Sequence, residues 1–248
     1  MTLKQIQKKL LNQCLEIVKR CKGRTELITK GYVHRQVASG AMASTGLVPD
    51  QQTQQQSQGT YTFHVTVEGT LTEDIQGIIA LAQNELVQEW HGYLDAVFVE
   101  ALRQCLGKRE FQSRLPKMKV ELPDLIWNRK TDMVESVCKS LEEPFSFCNY
   151  PEKILILTAL FNVESDDGIE FEVKKHVMIR NVLQHNHGVI RSIDLKRIGR
   201  EGQNVSVLEQ NRKVCKFGLG DKIELSVAEI ENLVNVMKDY SLYFEKLQ

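Results

Sequence analysis

Residues 70–107, "TLTEDIQGIIALAQNELVQEWHGYLDAVFVEALRQCLG", decide the fold. Apolar side chains recur at three and four: Ile75, Ile78, Ile79, Ala82, Leu86, Trp90, Tyr93, Leu94, Val97, Phe98 and Leu102. That spacing paints a broad stripe along one long helix. Thr70 with Glu73, or Thr72 one turn on, has the form of a capping box, and Gly107 supplies a stop. A helix this long and apolar must be covered on more than one side, so it reads as the spine of a bundle.

Other segments offer cover for it. The N-terminal stretch Met1–Gly23 places Leu3, Ile6, Leu10, Leu11, Cys14, Ile17, Val18 and Cys21 at helical spacing, with basic residues on the wet side and a stop at Gly23. "PDQQTQQQSQG" (Pro49–Gly59) has nothing to bury and reads as a polar loop. "TYTFHVTVEG" (Thr60–Gly69) alternates Tyr61, Phe63, Val65 and Val67 with polar residues, a strand pattern that pairs with "GYVHRQVAS" (Gly31–Ser39) in a small ribbon.

Downstream of the spine, "SRLPKMKVELPDLIWNRKTD" (Ser113–Asp132) carries two prolines and reads as an irregular connection. "DMVESVCKSL" is a short helix. "PEKILILTALFNV" opens on Pro151, suited to a first helical turn, and is helix or buried strand, with the helical neighbourhood favouring helix. Asp166 or Asp167 starts the next helix, which ends near Gly188. "VCKFGLGDKIELS" suggests a hairpin around Gly218–Asp221, and Ser226 with Glu229 caps a last amphipathic helix. The expectation is a mainly α fold, a bundle of four to five helices with a small β-hairpin decoration. Residues 1–69 would form an N-terminal extension and residues 70–248 the helical domain.

Composition narrows the function. Lys plus Arg equals Asp plus Glu, 32 each, so global charge does not select an anionic partner. Six cysteines without C-x-x-C spacing read as reduced, mostly buried thiols in a cytoplasmic protein. No apolar run is long enough for a membrane span or signal peptide. Walker A, dinucleotide-fold, H-E-x-x-H and G-x-S-x-G motifs are all missing from the sequence. Neither a metal nor a cofactor is expected.

What remains is "IRNVLQHNHG", Ile179–Gly188, at the end of an amphipathic helix. Arginine is permanently charged and its planar fork matches phosphate; histidine can take and return a proton near neutrality. Together they suit phosphodiester chemistry, the histidine moving the ribose 2′-hydroxyl proton and the arginine stabilising the phosphorane. On a regular helix Arg180 and His185 lie about 140° apart, whereas Arg180 and His187 nearly overlay. A polar helix end, where cationic groups favour the dipole, accounts for the same residues without chemistry.

"RNVLQHNHG" resembles the R-x(4–6)-H signature of HEPN domains, in the form with Asn directly after Arg. Arg180, Asn181 and His185 match it, and His187 stands where a second Asn is commoner. The layout from Thr70 onward is similar too: a long helix with an acidic residue (Glu85 or Glu89), the motif on a later helix, then a capped last helix. The resemblance implies a metal-independent endoribonuclease, generally a homodimer with two motifs meeting at a composite site. Such domains serve as toxins or antiviral effectors, some under an antitoxin or other regulatory protein, while others are non-catalytic modules supporting a partner such as a nucleotidyltransferase.

By that resemblance Arg180 binds the scissile phosphate, His185 is the acid/base, Asn181 orients the histidine or the RNA, and His187 is an auxiliary base. Glu89 is the supporting carboxylate, as a mid-helix acid needing a partner such as Arg180. Family pattern chooses His185 and regular helical geometry chooses His187. Beside the motif, Arg191–Lys216 carries seven Lys or Arg against three Asp or Glu, so Arg191, Lys196, Arg197 and Arg200 are the expected RNA contacts.

Overall fold

The computed structural model describes residues 2–43, 53–107, 133–161 and 167–245, with side chains described for 2–31, 72–106, 133–161 and 168–244. Within them the chain is a helical bundle with one two-stranded hairpin, the expected class. In chain order the elements are α1 (Leu3–Ala43), α2 (Thr53–Gly107), α3 (Met133–Ser146), α4 (Tyr150–Phe161), α5 (Asp167–His185), α6 (Ser192–Arg197), β1 (Val205–Leu208), β2 (Val214–Phe217) and α7 (Val227–Glu245). No helix among the described residues is long and apolar enough to cross a membrane.

The spine behaves as its stripe demands. Leu86, Trp90, Leu94, Val97, Phe98 and Leu102 are all fully buried, and α1, α3, α4, α5 and α7 pack around them. Trp90 stacks on Tyr240 of α7 with ring centroids 5.5 Å apart, and Phe98 lies parallel to Phe145 of α3 at 3.9 Å. Truncating any one of these side chains to Ala costs about 3–5 kcal/mol, a large part of a domain's stability. The Pro151 segment is helix, as its neighbourhood suggested: Asn149 Oδ1 accepts from the Glu152 amide at 3.1 Å while Glu152 returns a carboxylate to the Asn149 amide at 3.0 Å.

Several expectations for residues 1–69 are corrected. Helix α1 does not stop at Gly23 but runs to Ala43. A side chain at Gly23 would meet nothing within 4 Å, and one exposed glycine costs only about 1 kcal/mol relative to alanine, too little to end a helix. The strand expected over Tyr61–Val67 and its partner over Gly31–Ser39 are helical, within α2 and α1. Adding a residue to a formed helix fixes only that residue for a further hydrogen bond, so alternation alone does not impose a strand. Of the polar stretch, 49–52 lie outside the described residues and 53–59 belong to α2. The connection over 113–132 lies outside them as well.

Helix α2 crosses residue 70 without a break. Leu3, Ile6, Leu10, Cys14, Ile17 and Cys21 join the same core as the spine, and buried Gln7 donates to Ser241 Oγ of α7 at 3.0 Å. Three cysteines, Cys14, Cys21 and Cys138, are buried, and burial pushes the Cys14 thiol up to about 12.

The hairpin is displaced from its expected turn. Val205 pairs with Phe217 and Leu208 with Val214, so the turn spans Glu209–Lys213, with Arg212 at φ 63°. "GLGD" instead turns the chain after β2, where the Gly218 amide donates to Asp221 Oδ2 at 2.7 Å and Gly220 takes φ 86°. Ser226 caps α7 as expected, accepting from the Glu229 amide at 3.1 Å. The Glu229 carboxylate, however, turns away from the cap to accept the Leu208 amide at 2.7 Å. Fully buried, it also lies 3.0 Å from Lys175 Nζ and 3.2 Å from His176 Nε2 of α5. Gln83 donates to His176 Nδ1 at 3.2 Å, which leaves the imidazole proton on the nitrogen facing Glu229. This polar knot ties the hairpin, α5 and α7 together.

Candidate functional site

Helix α5 carries the motif, and its buried Val173, Ile179 and Val182 fix which residues face outward. Arg180 is half-buried against α2. Its Nε donates to Asn84 Oδ1 at 3.0 Å and its Nη1 to Asn181 Oδ1 at 2.9 Å. Gln184 Nε2 donates to the same Asn84 oxygen at 2.7 Å. Since arginine only donates, Asn181 must present its carbonyl to Arg180 and keeps its amide nitrogen for something else. Two guanidinium N–H groups are engaged in this way, and the others bond no side chain among the described residues.

Asn181 and His185 are four apart, so they stand about 40° from one another and one turn apart along α5. Arg180 thus bonds a residue on the helix face that His185 shares. His185 is exposed, the last residue of α5, and has no ion pair or hydrogen bond to any described residue. The reasoning that favoured His187 needs a helix regular to Gly188, and the helix is not. Past His185 the chain turns through two left-handed residues, His187 at φ 52° and Gly188 at φ 83°, and the Gly188 amide reaches back to Val182 O at 3.1 Å. His187 is therefore off the helix, at a position where histidine is tolerated and glycine would be easier.

Glu89 does not join this group. It lies on the α1 side of α2, where its charge helps raise the Cys14 thiol, and no ion pair joins it to Arg180. Five residues from Asn84 turn it about 140° away from α5. Glu85 likewise faces α1, paired with Arg20 at 2.7 Å. What α2 brings to Arg180 is amide and imidazole: Asn84 directly, and His91, on which the Arg180 charge acts. Burial first, and then the Lys153 charge, push His91 down to about 4, with Arg180 adding to the effect and Asp95 opposing it. Lys153, fully buried, is held by Asp95 at 2.5 Å.

The basic residues after the motif divide in two. Arg191 is held by Asp194, Nε to Oδ2 at 3.2 Å, and Arg200 lies over the Phe171 ring at 4.3 Å while bonding Gln203. Both have structural work. Lys196 and Arg197 are exposed and form no ion pair with any described residue. Buried Asp194 also accepts from Asn186 Nδ2 at 3.2 Å, which fixes the turn just past His185.

Asn181 opens onto a cleft of about 400 Å³ between the start of α4, the middle of α5 and the end of α6. Lys174, Val177, Met178 and Asn181 form its α5 wall, the same helical row that His185 ends; Asn149 and Tyr150 face them, and Arg197 closes the third side.

Sequence reasoning missed Asn84 and Asp194 and gave His91 no role in the site. Asn84 is a polar break in a run of apolar residues, and Asp194 stands three residues after Arg191, the spacing of a cap; both signals were legible. His91 needed the fold. Among the described residues no cluster of His, Cys, Asp and Glu is arranged to hold a metal. No protein-family model matches the chain, nor does any curated protein or solved structure.

Proposed function

We propose that the chain is a HEPN-type endoribonuclease that cleaves RNA without a metal ion. One observation carries the reading: Asn181 bonds Arg180 on the helix face where His185 follows one turn later, beside a cleft sized for a ligand. Arg180, half-buried and braced by Asn84 and Asn181, offers its remaining N–H groups to the scissile phosphate. His185 takes the proton of the ribose 2′-hydroxyl; the 2′-oxygen attacks phosphorus, the bond to the 5′-oxygen breaks, and the leaving oxygen receives a proton from an imidazolium. The products are a 2′,3′-cyclic phosphate and a 5′-hydroxyl.

Leu81 of α2, Val189 just past α5 and Ile193 of α6 are exposed apolar side chains on α2 and on the chain that follows the motif. Apolar groups around a charged site suit a homodimer that brings two motifs together, with the second His185 available as the general acid. A cytoplasmic toxin or antiviral effector, held in check by an antitoxin or regulatory protein, is the setting this chemistry implies. The same apolar rim also suits a non-catalytic interaction module in which Arg180 only supports a partner such as a nucleotidyltransferase.

Incubation with total RNA in EDTA separates the two. Cleavage that leaves cyclic ends and disappears in Arg180→Ala and His185→Ala supports the ribonuclease. A wild-type protein that cuts nothing, with Arg180→Ala changing only the oligomer in light scattering, supports the module.

A further inference from the structure

The 400 Å³ cleft has a chemical bias of its own. Its walls include Val177, Met178, Pro151 and Ile198, which suit the faces of a flat ring. Its unengaged polar groups are chiefly donors. Asn181 Oδ1 already accepts from Arg180 and Asn149 Oδ1 from the Glu152 amide, while neither Nδ2 bonds a described residue. Arg197, at the third side, has no anionic partner among the described residues. Asp194, the one carboxylate in the lining, is already occupied: it accepts from the Arg191 amide, from both Nε and Nη2 of Arg191, and from Asn186. Lys174 is paired with Glu170.

We propose that this cleft is a nucleobase subsite that selects bases presenting carbonyl acceptors, guanine and uracil, over adenine. The inference rests on the ribonuclease reading, because Arg180 would hold the phosphate of the nucleotide whose base enters the cleft. Guanine shows O6 and N7 as adjacent acceptors, the pair an arginine fork fits best, and uracil shows O4 and O2. Adenine has no carbonyl to accept from the Nδ2 and guanidinium donors, and its amino group turns a further donor towards them. A base entering the cleft would be unstacked and gripped between the α4 and α5 walls, as recognition of single-stranded RNA generally requires. Recognition at this point would place the scissile phosphate next to a preferred base, so cleavage would be sequence-selective.

Calorimetric titration of the full chain with 3′-GMP, 3′-UMP and 3′-AMP tests this. The expected result is GMP and UMP binding at least about tenfold tighter than AMP. Arg197→Ala, an exposed change that does not threaten the fold, should shrink that ratio. Asn149→Asp keeps the oxygen that caps α4 but converts the free donor into an acceptor, so it should shift preference towards AMP. Val177→Trp, filling the cleft, should weaken all three. Arg180→Ala should weaken all three alike and leave the ratio intact. Equal affinity for the three nucleotides, or a ratio unmoved by Arg197→Ala and Asn149→Asp, overturns the subsite. Discrimination among nucleotides in a protein that cuts no RNA would instead overturn the nuclease reading, while equal affinities in a protein that does cut would overturn the subsite alone.

Discussion

Arg180 Nη1 donates to Asn181 Oδ1 at 2.9 Å while its Nε donates to Asn84 Oδ1 at 3.0 Å, so one guanidinium is braced by two amides from two helices. The guanidinium does this with two separate nitrogens held in one plane, whereas an ammonium carries all its donors on one nitrogen and cannot occupy both the Nε and Nη1 positions. Arg180→Lys should therefore be nearly as damaging as Arg180→Ala. We expect RNA cleavage to fall by about two orders of magnitude or more in both, the usual cost of losing one donor to a developing oxyanion. Stability should fall by only about 1–2 kcal/mol, as two part-buried hydrogen bonds are lost. Lysine restoring near wild-type cleavage would show that the bracing is irrelevant.

The histidines can be told apart. His185→Ala should reduce cleavage by about 10²–10⁴, the range of a lost general acid or base. His187→Ala should stay within a few-fold of wild type, and His187→Gly should raise the melting temperature slightly by relieving the left-handed backbone at φ 52°. The reverse ranking in a cleavage assay would reassign the acid/base to His187.

This ranking was hidden in the sequence for a definite reason. Arg180, Asn181, His185 and the amphipathic helix that carries them were legible from residue types and spacing. The choice between His185 and His187 depended on where α5 ends, and two successive left-handed residues after Asn186 leave no mark on a helical-periodicity count. Glu89 failed differently: it was chosen as a buried acid needing a partner, but only the packing of α1 shows which way it faces. The spine and α7 were readable because their apolar stripes are long. The strand reading of Tyr61–Val67 rested on alternation over a few residues, which the helix running through it overrode.

Acidification should destabilise the fold through half-buried His91 and buried His176. With His91 lowered from 6.5 to about 4, the folded chain binds fewer protons than the unfolded chain between those values. Stability is thus full above about pH 6.5 and declines as pH falls through the window, by up to about 3 kcal/mol. His176, lowered chiefly by burial, acts in the same direction. Urea melts at pH 7, 5.5 and 4.5 should show His91→Gln losing less stability across this range than wild type. Identical slopes would mean that His91 is not held neutral in its half-buried place beside Arg180 and Lys153.

Glu229 should prove structural. It stays ionised below the ordinary carboxylate range: its burial acts against this, but His176, Lys175 and the Leu208 amide outweigh it. Glu229→Ala leaves the Leu208 amide and His176 without their acceptor and Lys175 with Glu172 as its remaining carboxylate, and should cost about 3 kcal/mol. Hydrogen exchange should show the amides of Val205–Leu208 losing protection first. A variant as stable as wild type would refute the role of this knot in holding the hairpin to the bundle.

The most direct measurement uses one RNA oligonucleotide cut by the protein and its analogue with a 2′-deoxy sugar at the cleaved position, both in EDTA. Attack by the 2′-oxygen under His185 predicts that the RNA is cut to a 2′,3′-cyclic end, that the deoxy analogue stays intact, and that His185→Ala cuts neither. Cleavage of the deoxy analogue, or undiminished cleavage by His185→Ala, would contradict the account.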